Sequence, residues 1–274
     1  MRLLFGFVLF AALGLKAQQL SYTGDHAWSS DSAVSRPEGR QHLRQADVMW
    51  AGRFWRFIDV RQKINLPLST TLQGNSNQAP LWKVLQTAIQ NHHIPAYRDD
   101  ALSEQLSQRE ANLVWERVDT LLLASAEPPY AETPTPIVSP FDPSGIRFFQ
   151  IKEEWFFDRH RSQLDVRILA LGLVVNQTDP RSGESQGLAN LFWIRYSDIE
   201  PLLNSYTCYN PGNLAIPMSY QDLFRNRYFH SMIYKRDNVF DRELADYAQG
   251  LDILLEGEEM KKELRNFEED LWER

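Results

Sequence analysis

The chain has 274 residues, with 29 basic against 36 acidic side chains and a formal net charge of −7. That balance argues against nucleic acid as a partner, because phosphates need clustered Lys and Arg to release their counterions. Apolar residues make up 43% of the sequence and aromatics 12%, too much for a disordered chain, and the length fits one large domain or two small ones. Cys208 is the single cysteine, so no internal disulfide is available and the core itself must hold the fold.

The first residues predict a secretory leader over 1–17. Met1-Arg2 precede an uncharged run from Leu3 to Leu15, and Lys16-Ala17-Gln18 follow. A basic start, an apolar stretch of about 7–15 residues and a small residue before the cut are the parts of a signal peptide. The run stops short of the roughly 20 apolar residues a spanning helix needs. No cysteine stands near the cut to accept a lipid, so export without an anchor is expected. Residues 18–44, rich in Ser, Asp, Gly and Arg, are expected to be a flexible arm.

Residues 45–126 are expected to form an N-terminal α/β half. The stretch Trp50–Ile64 mixes aromatics with arginine, and Arg56-Phe57-Ile58-Asp59-Val60-Arg61 alternates as a strand does. A polar loop closed by Pro80 leads to Leu81, Trp82, Leu85, Ala88 and Ile89, whose spacing predicts a helix over 81–91. Ile94–Tyr97 reads as an edge strand, since Pro95 cannot donate to a central ladder. A second helix is expected from Ser103 to Ser125, with Leu106, Leu113, Val114 and Val118 facing inward.

Pro128, Pro129, Pro134, Pro136, Pro140 and Pro143 crowd residues 127–146, which predicts an extended linker. A C-terminal sheet half is expected over 147–241. Phe148–Phe157 and Leu164–Val175 flank the charged turn Asp158–Arg161 as a β-hairpin would. Asn176–Asn190 reads as a loop and Leu191–Tyr196 as a third strand. Residues 242–274 read as an amphipathic helix continuing from Phe240, with Leu244, Tyr247, Leu251, Leu254, Leu255, Met260, Leu264, Phe267 and Leu271 in one stripe. Gly250 and Gly257 work against it by up to about 1 kcal/mol each relative to Ala. Such a stripe either docks on the body or meets a partner. The expected fold class is α+β: an antiparallel sheet with flanking helices and a C-terminal helix.

The two halves share an order of parts. Phe54-Trp55 precedes Asp59, and Phe192-Trp193 precedes Asp198. Each leads through a short helix to a Tyr–basic–acidic segment, Tyr97-Arg98-Asp99 and Tyr234-Lys235-Arg236-Asp237. One duplicated α/β unit and a chance likeness between aromatic-rich segments both account for this.

Chemistry-bearing motifs are sparse. His92-His93 would point apart on any regular element, with no carboxylate or thiol at ligand spacing. Glu153, Glu154, Asp158 and His160 could be drawn as an acid–base cluster, but Glu154 faces away from its neighbours on a strand, and solvated residues framing a hairpin are the plainer reading. No phosphate loop stands in strand-to-helix context. Cys208, between Tyr206 and Tyr209, reads as an inert partly buried thiol. Eight Trp, fifteen Phe and ten Tyr either fill a core or supply contact surfaces. Trp50, Trp55, Trp155, Phe157, Trp193 and Tyr234 are the candidate partner-interface residues. Catalytic, cofactor-binding and metal-ligating residues are not assigned.

Several separated motifs resemble the GldN/PorN family. They are Ala46–Trp50 continuing to Trp55–Leu68, Ile151–Asp158 with Asp165–Ile168, Phe192-Trp193-Ile194, Met218–Phe224, and Asn238–Arg242. The resemblance spans most of residues 46–250. It implies a non-enzymatic periplasmic component of the type IX secretion and gliding motility apparatus. It further implies a ring with an outer-membrane lipoprotein of the GldK/PorK type, and contact with the periplasmic part of the GldM/PorM motor component. The rival reading is a periplasmic ligand-binding or hydrolytic protein with a site between the two halves.

Overall fold

In the computed structural model, which describes residues 43–70, 78–124, 132–178, 184–211 and 218–272, the aromatic-arginine stretch becomes β1 (Val48–Asp59). Alternation decides its faces: Phe54, Arg56 and Ile58 turn one way, Trp55 and Phe57 the other. β1 pairs antiparallel with β5 (Ile146–Asp158), which pairs with β6 (Gln163–Thr178), which pairs with β7 (Ser185–Arg195). The short strands β2 (Ala96–Tyr97) and β10 (Met232–Arg236) close the two edges, giving the order β10-β1-β5-β6-β7-β2. The class is α+β, as the sequence indicates.

Both sequence halves contribute to this one sheet, and they do so crosswise. β2, which follows β1 in the chain, lies beside β7, with Tyr97 opposite Trp193. β10, which follows β7, lies beside β1, with Lys235 opposite Trp55. A short strand from each half thus completes an edge beside a strand of the other.

The apolar core covers the middle and the β7–β2 end of one face. Helix α1 (Leu81–Gln90) buries Leu81, Val84, Leu85, Ala88 and Ile89. Helices α3 (Tyr196–Ser205) and α4 (Tyr220–Arg225) add Ile199, Leu203, Leu223 and Phe224, all against Phe149, Ile151, Leu171, Phe192 and Ile194. A capping box on Ser219 and Asp222 starts α4. The β10–β1 end of the same face is covered by α5 (Leu251–Trp272) through Leu264 and Met260, packed with Phe54, Ile233, Trp50 and Trp155.

Four local expectations are corrected. The helix expected over 103–125 is only α2 (Gln108–Leu113), opened by a Ser107–Glu110 capping box; Glu116–Ala124 is strand β3 instead. The span 127–146 contains β4 (Glu132–Pro140), paired antiparallel with β3. Pro134, Pro136 and Pro140 stand at even positions, so their missing donors all fall on one edge and the alternate residues keep the ladder to β3. The loop expected at Asn176–Asn190 is narrower, because β6 and β7 run on as a pair to Thr178 and Ser185. The terminal helix begins at Leu251, not near Phe240, since Gly250 adopts φ +57 and precedes it with a break.

A two-stranded pair, β8 (Thr207–Cys208) with β9 (Met218–Ser219), leads into α4. Cys208 is buried there, its thiol contacting the Met218 carbonyl at 3.4 Å, and burial pushes its pKa up to about 12. The expected leader and nearly all of the 18–44 arm lie outside the described residues. Among the described residues no helix is long and apolar enough to cross a membrane.

Candidate functional site

The β10–β1 end of the helix face differs from the rest because an arginine occupies an inward position of β1. Arg56 stands between Phe54 and Ile58 on the same face, and only 3% of it is exposed. An isolated buried cation is far too costly to keep, so a carboxylate must answer it. Glu153, on the neighbouring strand β5, does so: Arg56 Nε donates to its Oε2 at 2.9 Å. A second guanidinium arrives from the turn after α4. Arg227 Nη2 donates to the same Oε2 at 3.2 Å, and its Nη1 lies 2.9 Å from Oε1. The Trp155 indole N–H donates to Oε2 at 3.1 Å.

Burial alone would raise the Glu153 carboxyl above its usual range. The combined pull of Arg56, Arg227 and these donated bonds outweighs it and holds the group low. Arg56 is shifted downward, first by burial and then against the pull of Glu153, with Arg227 pushing the same way as burial.

The centre opens on a cleft of about 590 Å³ beneath α5. Arg56, Arg227 and Trp155 form its floor; Phe229, His230 and Ser231 form one wall, and Leu255, Glu258, Lys261, Leu264 and Arg265 of α5 the other. Buried Asn65 fixes the first wall. Its side chain donates to the Asp59 and His230 carbonyls and accepts from the His230 N–H. Arg227 holds φ +55, a left-handed conformation uncommon away from glycine.

The approach of α5 depends on Gly257. A Cβ there would lie 2.7 Å from the Ile233 carbonyl oxygen, so the helix crosses β10 with only a hydrogen between. Further along, Arg236 pairs with Glu263 at 3.0 Å, and the Phe267 ring lies 4.7 Å from that of Trp50. The expected stripe therefore divides. Gly257, Met260, Leu264 and Phe267 dock on the sheet, whereas Leu251, Leu254 and Leu255 are 68%, 48% and 58% exposed. Tyr247, Phe240 and Val239, just before the helix, are exposed too.

The loop carrying Val239 and Phe240 is built, not slack. Asn238 donates to the Arg236 and Arg242 carbonyls and accepts from the Phe240 and Arg242 N–H groups. Asp241 pairs with buried Lys235 at 2.7 Å. The polar residues thus form the turn, and the two apolar residues are presented.

The predicted site residues fall in two groups. Trp55, Trp193 and Tyr234 are buried together on the opposite sheet face, with Lys152 and Lys235 5.3 and 4.7 Å from the Trp55 ring. Trp50 and Trp155 are half-buried under α5, and Phe157 is half-buried at the β5 end. Glu153 and Glu154 face opposite ways as expected, but both are buried and ion-paired, Glu154 with Arg53 at 3.2 Å; the solvated reading of them is corrected. Asp158 is buried as well, capping its turn by accepting from His160 N–H and Arg161. His92 and His93 are exposed past the end of α1. Among the described residues no three His, Cys, Asp or Glu are grouped to hold a metal. Sequence reasoning missed Arg56 and Arg227; the signal available was an arginine at an inward position of a strand.

Fold and cleft together define an antiparallel α+β protein with one charged, partly open end to its sheet. A family model described as "Gliding motility associated protein GldN" matches residues 43–273. The chain belongs to the GldN family, and with it to the components of the gliding motility and type IX secretion machinery. Comparison with curated proteins returns no match.

Proposed function

We propose that the chain is a structural, non-enzymatic subunit of this machinery. It forms a ring with an outer-membrane lipoprotein of the GldK/PorK type and contacts the periplasmic part of the GldM/PorM motor component. The observation that carries the reading is the row of exposed apolar residues, Val239, Phe240, Tyr247, Leu251, Leu254 and Leu255, on a built loop and the first turns of a docked helix. Leu251, Leu254 and Leu255 share one helix face, and an apolar face that the described residues leave exposed marks a place for another protein. Trp50 and Trp155, half-buried beneath α5, support that end of the sheet from within.

Co-expression with the lipoprotein partner, followed by size measurement, tests it. The expected result is a large assembly containing both proteins, lost when Leu251, Leu254 and Phe240 are replaced by Ser. A chain that stays monomeric beside its partner would sink the idea. The rival reading, a ligand-binding or hydrolytic protein, draws on the cleft; thermal shifts with sugars, short peptides or metals would favour it over the ring.

A further inference from the structure

We propose that the cleft beneath α5 seats an acidic side chain of a partner polypeptide, with apolar residues on either side of it in that segment. This rests on reading the chain as an assembly subunit and names the chemistry that its cleft recognises.

The floor carries unequal charge. Two guanidinium groups, from Arg56 and Arg227, meet the single carboxylate of Glu153. Along the α5 wall, Lys261 pairs with Glu258 at 3.4 Å and Lys262 with Glu259 at 3.9 Å, so those charges cancel in place. One positive charge on the floor is left over, in a chain whose net charge is −7.

Arg56 also has unused donors. Its bond to Glu153 uses Nε alone, and its two terminal amino groups make no hydrogen bond with the described residues. The side chain is buried, yet it lines the cleft. A guanidinium presents paired donors in a plane, which matches the two oxygens of a carboxylate. Glu258 lies close enough to favour the charged form of Arg56, so it competes with an incoming acid from the rim.

The walls identify the rest of the occupant. Trp155, Phe229, Leu255 and Leu264 supply apolar surface around the charged floor. Leu255 continues outward into exposed Leu251 and Leu254. A small free anion would meet only the floor; a peptide carrying an acid among apolar residues would meet floor, walls and ridge. The charge-assisted contact should be worth about tenfold or more in affinity.

The test pans a random twelve-residue peptide library on the purified full chain, with Arg227→Gln, Glu258→Gln and Arg98→Gln in parallel. The expected result is enrichment of peptides with Asp or Glu beside Leu, Ile or Phe. Changing that acid to its amide should weaken binding about tenfold. Arg227→Gln should abolish the preference for the acid, Glu258→Gln should tighten binding, and Arg98→Gln, at the far end of the molecule, should change nothing. The Glu258→Gln arm keeps the test sound if Arg227→Gln fails to fold.

No enrichment, enrichment without an acid, or a preference that survives Arg227→Gln would each overturn the proposal. Displacement by acetate as effective as by the peptides would overturn the polypeptide occupant in favour of a small anion. If acid discrimination holds while co-assembly with the lipoprotein fails, the ring reading falls and the cleft chemistry stands. Assembly without discrimination gives the reverse.

Discussion

The two ends of the sheet solve the same covering problem by different means. At the β7–β2 end, α1 and α3 lay aliphatic side chains on Phe192, Ile194 and Leu171, and the seal is apolar. At the β10–β1 end, α5 makes a narrower contact through Gly257, Met260, Leu264 and Phe267, beside a triad of buried Arg56, buried Glu153 and half-buried Arg227. Aliphatic packing gains from every ångström of area removed from water. A buried ion pair only recovers what its desolvation costs, and a hydrophobic replacement often does as well. The contrast separates an end shaped for stability from one that keeps charge and open apolar surface available.

Removing one partner of the triad should break the contrast most severely. Glu153→Ala leaves two guanidiniums facing each other, and a loss of about 3–5 kcal/mol in urea unfolding is expected. Leu85→Ala, at the apolar end, should cost about 2–5 kcal/mol through the cavity it opens. The two losses should differ in kind. Glu153 has a depressed carboxyl, so its contribution is complete above the unfolded value near pH 4.3 and drains as pH falls through the lower folded value. The Leu85→Ala protein should keep this acid-dependent loss; Glu153→Gln should flatten it, as urea midpoints measured between pH 6 and pH 3 would reveal.

Gly257→Val should cost less, about 1–3 kcal/mol, because α5 can shift away from the Ile233 carbonyl. Amide exchange should quicken over residues 258–268 while α1 stays protected; uniform quickening would mean that the two ends are not separable. Smallest of all, Leu254→Ser should move stability by within about 0.5 kcal/mol. A larger loss would show that the ridge is covered by the chain itself.

How far the sequence discloses this architecture depends on how local the deciding contact is. β1, β5 and β6 are legible because their alternation lies within a dozen residues, and α1 because its apolar stripe repeats at helical spacing. β3 is not legible: its leucines suit a helix equally, and the choice is made by pairing with β4, whose prolines argue against any strand until their even spacing is noticed. The cleft is hidden for the same reason. Glu153 looks like a solvated hairpin residue until Arg56 and Arg227 reach it, and they lie 97 and 74 positions away. The division of the α5 stripe is equally nonlocal, set by where β10 passes beneath Gly257. The aromatic residues were easier to find than to place: Trp55, Trp193 and Tyr234 are packed on one another across strands from both halves.

The crosswise edges carry a consequence for how the chain comes to be folded. β1 waits for β10, whose Arg236 pairs with Phe54 from about 180 residues further along the chain, and β2 waits for β7. Neither half can finish its own sheet, so closure is a late event that must gather the two ends of the polypeptide. Contacts that distant make folding slow. A growing chain with this topology keeps the β1 edge of its sheet open until β10 (Met232–Arg236) has appeared.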